Sequence, residues 1–155
     1  MGNILQRTGT IIGFGLFLFA IAYITINWSA LPAEVPTHYN ALGEADDWGS
    51  KPFIYFIPLV SVALWVFIIT ASKYAKINIP GYDNNDGTPK QKALAQQMMR
   101  VLGVELLILL NLMSIKETYN LLGGSISLGI WEMVIFLTVV LGTTLGYTIK
   151  ILTTK

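Results

Sequence analysis

The chain of 155 residues contains one histidine and no cysteine, so acid–base, nucleophilic and metal chemistry must start from His38 or do without it. Asn40, Glu44, Asp46 and Asp47 lie close to it in sequence. Such a group can hydrogen-bond its own loop into one shape, contact a peptide or other ligand, or hold a divalent cation through His38 and Asp46. The last role has the weakest support, because no second histidine or thiolate stands at ligand spacing, and neither metal nor cofactor is expected. Catalysis would have His38 as its only natural base, while Ser50 and Ser125 read as helix caps. A non-enzymatic protein is therefore expected. The stretch Asp83 to Gly87 fails as an EF-hand: with Gly87 at the turn position, Tyr82 and Ala93 fall where ligands are needed.

Two acidic residues, Glu105 and Glu132, stand in otherwise apolar runs, where a central charge costs about 2.5–3.5 kcal/mol. Glu105 and Lys116 return to nearly the same helix face, with Leu109 and Leu112 between them, but about 16 Å of rise excludes a direct pair. Glu132 is within reach of Lys116, Asn111 or the loop of His38. Two readings stay open. Glu105 reaches down to Arg100 or to water and Glu132 up to the outer interface, or the two line a polar path in a small transporter or channel subunit.

The elements that position these residues follow from composition. With 54% hydrophobic and 12% charged residues and a mean hydropathy of +0.60, the chain has more apolar surface than a soluble domain of this size can hide. The expected fold is an all-α integral membrane protein, a single membrane domain built as a four-transmembrane-helix bundle with one ordered extracytoplasmic loop. Runs of about 20 apolar residues place the spans at about 8–28, 53–71, 98–116 and 126–149, with an outer loop at 29–52 and a cytoplasmic connection at 72–97. The first run is longer than a signal-peptide core and is read as a retained span. Four spans put eight of the ten basic residues on one side and leave Lys51 and Lys116 on the other. Both termini are therefore expected in the cytoplasm, with the protein in the cell membrane. The net charge of +1 offers no field for nucleic acid.

Within the cytoplasmic connection, Thr88 and Pro89 form a helix start, so the third helix should begin below the membrane and run into it. In the outer loop Pro32 and Pro36 favour a stiff, extended arm, Gly43 and Gly49 supply turns, and Ser50 caps the second span ahead of Pro52. Gly13, Gly15 and Pro58 mark kinks or close contacts. Trp28, Trp48, Tyr55, Tyr74 and Trp131 sit where interfacial anchors belong. Gly142 and Gly146 form a small-residue pair that predicts close helix packing, within the bundle or in a homo-oligomer.

The order Leu31, Pro32, Pro36, His38, Tyr39, Asn40, Gly43, Asp46, Gly49, Ser50 and Lys51 resembles the signature loop of the bacterial SdpI-like membrane family, with Asp47 where that family carries a small residue. The likeness covers 21 of the 155 residues. It implies a domain of unknown function whose named members give immunity against an exported toxic peptide. A response to such a peptide through the outer loop is thus the leading expectation.

Overall fold

The computed structural model describes residues 2–40, 42–74 and 87–154. Its order is α1 (Gly2–Ile26), β1 (Glu34–Tyr39), β2 (Ala45–Ser50), a 3-10 turn (Lys51–Tyr55), α2 (Phe56–Ser72), α3 (Pro89–Leu121) and α4 (Ile130–Thr153). All four helices are long and apolar enough to cross a membrane, α2 together with the turn that precedes it. The chain is an all-α multi-pass membrane protein carrying one small hairpin.

α3 is the hub. It packs against α1, α2 and α4, whereas α1 and α2 touch little and α4 packs chiefly on α3. Small residues permit this. A Cβ at Gly9 would come within 2.8 Å of Val104 and one at Gly13 within 2.7 Å of Leu107, so α1 and α3 run parallel at close approach. Gly103 meets Ile68 and Asn111 Nδ2 donates to Ser61 Oγ at 2.8 Å, which sets α2 antiparallel to α3. Phe14 meets Trp65 edge-on at 5.0 Å, closing α1 onto α2.

The start of α3 follows the expected rule: Gln91 N–H donates to Thr88 Oγ1 at 3.3 Å and Thr88 N–H to Gln91 Oε1 at 2.7 Å, a reciprocal cap ahead of Pro89. Gln91 Nε2 also donates to the carbonyls of Ile151 and Thr154 at 3.1 and 3.0 Å. One buried side chain thus caps α3 and ties down the end of α4. At 33 residues α3 is about 50 Å long, more than the roughly 30 Å of a hydrocarbon core.

Several expectations are corrected. α4 begins at Ile130 rather than 126 because Asn120 accepts from Ile126 N–H and donates to its carbonyl, and Gly129 takes a positive φ of 54°. Ser125 is therefore no cap, and Ser50 makes no side-chain cap bond either. Pro58 lies in the first turn of α2, where a missing N–H leaves no bond unmade, and Gly15 meets nothing within 4 Å. Among the described residues Gly142 and Gly146 also meet nothing within 4 Å; α4 turns Thr143 toward α3 and these glycines outward. Close packing inside the bundle is not their role. The stretch 83–86 lies outside the described residues.

Candidate functional site

The outer arm is one strand of a hairpin. β1 and β2 pair antiparallel from Glu34 opposite Ser50 to Tyr39 opposite Ala45, with irregularities on either side of His38. Asn40 builds the turn: its Oδ1 accepts from the N–H groups of Leu42 and Glu44 at 2.9 and 3.1 Å, and its Nδ2 donates to the Glu44 carboxylate at 3.0 Å. This is the local side-chain mimicry of a turn that asparagine does well. Gly43 completes it at φ 79°, a region L side chains avoid. Gly49 makes no turn. It sits in β2, where a Cβ would come within 2.7 Å of Thr37 Cγ2.

The two faces of the hairpin differ. Outward, His38 Nδ1 lies 2.6 Å from Asp46 Oδ1, with side chains 67% and 44% exposed, and Thr37 Oγ1 donates to Asp47 at 3.2 Å. Among the described residues no group of three His, Asp or Glu side chains converges to hold a metal. His38 and Asp46 are closed on each other. Inward, Val35 is buried with Ile24, Leu31 and Ile54, rooting β1 on α1 and the 3-10 turn. Lys51 adds a second root: its ammonium donates to Trp28 O at 3.0 Å and lies 5.2 Å from the Trp28 ring centre. Trp28 in turn stacks on Tyr55 at 5.7 Å.

Under this anchored hairpin lies a cavity of about 400 Å³. Pro36, Thr37, Tyr39, Asn40 and Gly43 form its roof, Phe53, Ile54, Phe56 and Ile57 one wall, and α3 and α4 the others through Met113 and Phe136 among their apolar residues. Three polar features interrupt this lining. Lys116 Nζ pairs with Glu132 Oε1 at 2.5 Å, each side chain 20% exposed, so the two charges cancel. Glu132 also sits in the first turn of α4, where the helix dipole favours an anion. Glu117 has no ion pair among the described residues and faces the Tyr39 phenol. Burial first, then the hydrogen bond to Glu117 and repulsion from Glu117 and Glu132, push the phenol well above its ordinary pKa and keep it neutral. Ser114, only 4% exposed, lines the cavity with its hydroxyl unpartnered.

The structure therefore gathers Pro36, Tyr39, Asn40, Gly43, Lys116 and Glu132 around one cavity and leaves His38, Asp46, Gly49, Ser50 and Lys51 outside it. Asn111 is fully buried between α2 and α3, bonded to Ser61 and to Leu107 O. Glu105 does not pair with Arg100. Its Oε1 accepts from Thr143 Oγ1 at 2.6 Å and its Oε2 is buried without a partner. Glu132 pairs inward with Lys116 instead of reaching the interface. Sequence reasoning missed Ser114, Glu117, Met113 and Phe136 as site residues. The only signal was the charge pair Lys116–Glu117 at the end of an apolar run, which read as a boundary.

A family model described as a domain of unknown function, DUF1648, matches residues 15–62, which hold the latter part of α1, the hairpin, the 3-10 turn and the start of α2. An uncharacterized protein of Archaeoglobus fulgidus is 41% identical over 69 residues, a match spanning 41% of this chain and 38% of that protein. No solved structure matches the chain.

Proposed function

We propose that the chain is a non-enzymatic membrane receptor that captures an apolar segment of an exported peptide in the cavity beneath its hairpin and so protects the membrane or signals the peptide's arrival. The observation that carries this reading is the cavity itself. Its volume of about 400 Å³ falls in the range of small-ligand pockets, and its apolar walls with a few convergent polar groups have the usual character of such sites. With Lys116 and Glu132 neutralising each other, Glu117 leaves the mouth one charge negative, so the preferred segment carries a cationic or N–H donor group beside its apolar body.

The hairpin end is assigned to the outside of the cell membrane on the eight-to-two division of Lys and Arg. The resemblance of the loop to the toxin-immunity family points the same way. Transport through Glu105 and Glu132 has less support, since each is committed to a separate neighbour, Thr143 and Lys116. Catalysis has less still, because among the described residues the His38 side chain is hydrogen-bonded to Asp46 alone, and no hydroxyl nucleophile stands against its imidazole.

The test uses dye-loaded vesicles with and without the reconstituted protein, challenged with a Leu- and Lys-rich amphipathic peptide. The protein should raise the peptide concentration needed for leakage. Met113→Trp, which fills the cavity from a side chain 41% exposed, should abolish the protection. Equal leakage with and without the wild-type protein would refute the receptor.

A further inference from the structure

At the end of the bundle opposite the hairpin, α1 and α3 part around an open crevice of about 530 Å³ lined by Gln6, Arg7, Thr10, Ile11 and Arg100. Two arginines line it, and among the described residues no acidic side chain does. Among the described residues neither arginine has an ion pair. Like charges held in one crevice repel each other unless an anion stands between them, and the guanidinium fork is the side chain best matched to a phosphate.

The height of the pair identifies the anion. Contacts of Gly9 with Val104 and of Gly13 with Leu107 fix the register of the two parallel helices, so Arg7 and Arg100 stand level. Arg7 is the last charge before the uncharged run that begins at Thr8, and Arg100 precedes the apolar turn Val101 to Val104. That boundary is the headgroup layer of a bilayer. On the apolar side of the crevice Ile11 is 72% exposed, positioned for an acyl chain. On the other side α3 continues for eleven residues to Pro89, about 16 Å of helix standing out of the membrane as a wall. Thr10 Oγ1 is occupied by Gln6 O at 2.9 Å, which leaves the Gln6 amide and the two arginines as donors.

We propose that this crevice binds the phosphate of an anionic membrane lipid, clamped between Arg7 and Arg100 with a chain lying along Ile11. Basic pockets between membrane helices hold anionic headgroups by this chemistry. The site is remote from the hairpin cavity and stands or falls independently of it.

The test is native mass spectrometry of the full chain extracted from bilayers of equal phosphatidylglycerol and phosphatidylcholine. The wild-type protein should retain one phosphatidylglycerol in preference to phosphatidylcholine, and R7Q/R100Q should lose that retention at least tenfold, while K150Q, which removes a cation at the same end of the bundle that does not line the crevice, keeps it. R100K, which keeps the charge and loses the fork, should fall between them. Circular dichroism of each variant shows that the helices persist, and release of the wild-type lipid by rising salt gives a readout that needs no variant. A second arm measures Tm in detergent with inorganic phosphate or with short-chain phosphatidylglycerol. Equal retention of the two lipids by the wild-type protein, unchanged retention by R7Q/R100Q, or equal protection by inorganic phosphate would each overturn the assignment.

Discussion

Removing one member of the Lys116–Glu132 pair should cost more than removing both. The two charges are 2.5 Å apart and each side chain is 20% exposed. At that separation and an effective dielectric of 20 the attraction is about 6–7 kcal/mol before desolvation of either ion is subtracted. The residual contact with water screens what remains once a partner is lost, which puts Lys116→Met or Glu132→Gln below the roughly 3–5 kcal/mol typical of a fully buried orphaned charge. We expect about 2 kcal/mol for each single variant. The double variant K116M/E132Q leaves no orphan and adds apolar surface to the cavity wall, so it should cost about 1 kcal/mol or less, giving a coupling of about 3 kcal/mol. Reversible unfolding in bicelles, read by steric trapping, measures all four corners of the cycle. A double variant as damaged as the sum of its singles would refute the reasoning, because the two charges would then be held by other groups.

Three other expectations follow from the hairpin and the caps. Gly49→Ala should destabilise the hairpin by about 1 kcal/mol through its clash with Thr37 Cγ2, and Thr37→Ser, which removes that methyl and keeps the bond to Asp47, should restore it; hydrogen exchange at the hairpin amides reports both, and a double variant no better than Gly49→Ala would be contrary. The raised Tyr39 pKa means that above pH 10 the unfolded chain loses a proton that the folded chain keeps, so stability declines as pH climbs. Tyr39→Phe should flatten that alkaline decline, and an unchanged alkaline limb would count against the contact with Glu117. Gln91→Ala should speed exchange at both the start of α3 and the end of α4, since one side chain serves both; protection lost only in α3 would mean that the link to α4 is idle.

The spans were legible because charges fence each apolar run, and the reach of α3 below them because Thr88 and Pro89 are a local cap with a local cause. The hairpin was half legible. Pro32 and Pro36 forecast an extended arm, but β2 reads Ala-Asp-Asp-Trp-Gly-Ser, a poor strand by propensity. It pairs because Asp46 and Asp47 bond His38 and Thr37 across the ladder, a fact of register that composition does not contain. The cavity was not legible at all, since it takes residues from the hairpin and three helices that are up to a hundred positions apart, Pro36 and Phe136 among them. For Gly142 and Gly146 the expectation of packing inside the bundle failed for the opposite reason: small residues look alike whether they face a helix or the surroundings.

The central place of α3 also sets an order in time. Membrane chains enter the bilayer from the N-terminus, and α1 and α2 touch each other too little to form a stable pair. They must wait for α3, which alone supplies the surfaces that both fit, and only then can Asn111 find Ser61 and Leu107 find Gly13. α4 arrives last, onto a trio already locked together, and completes the cavity as its final wall. A newly made chain therefore gains its framework before its cavity, and an interruption of synthesis after Leu121 would leave three packed helices with that cavity missing its α4 wall.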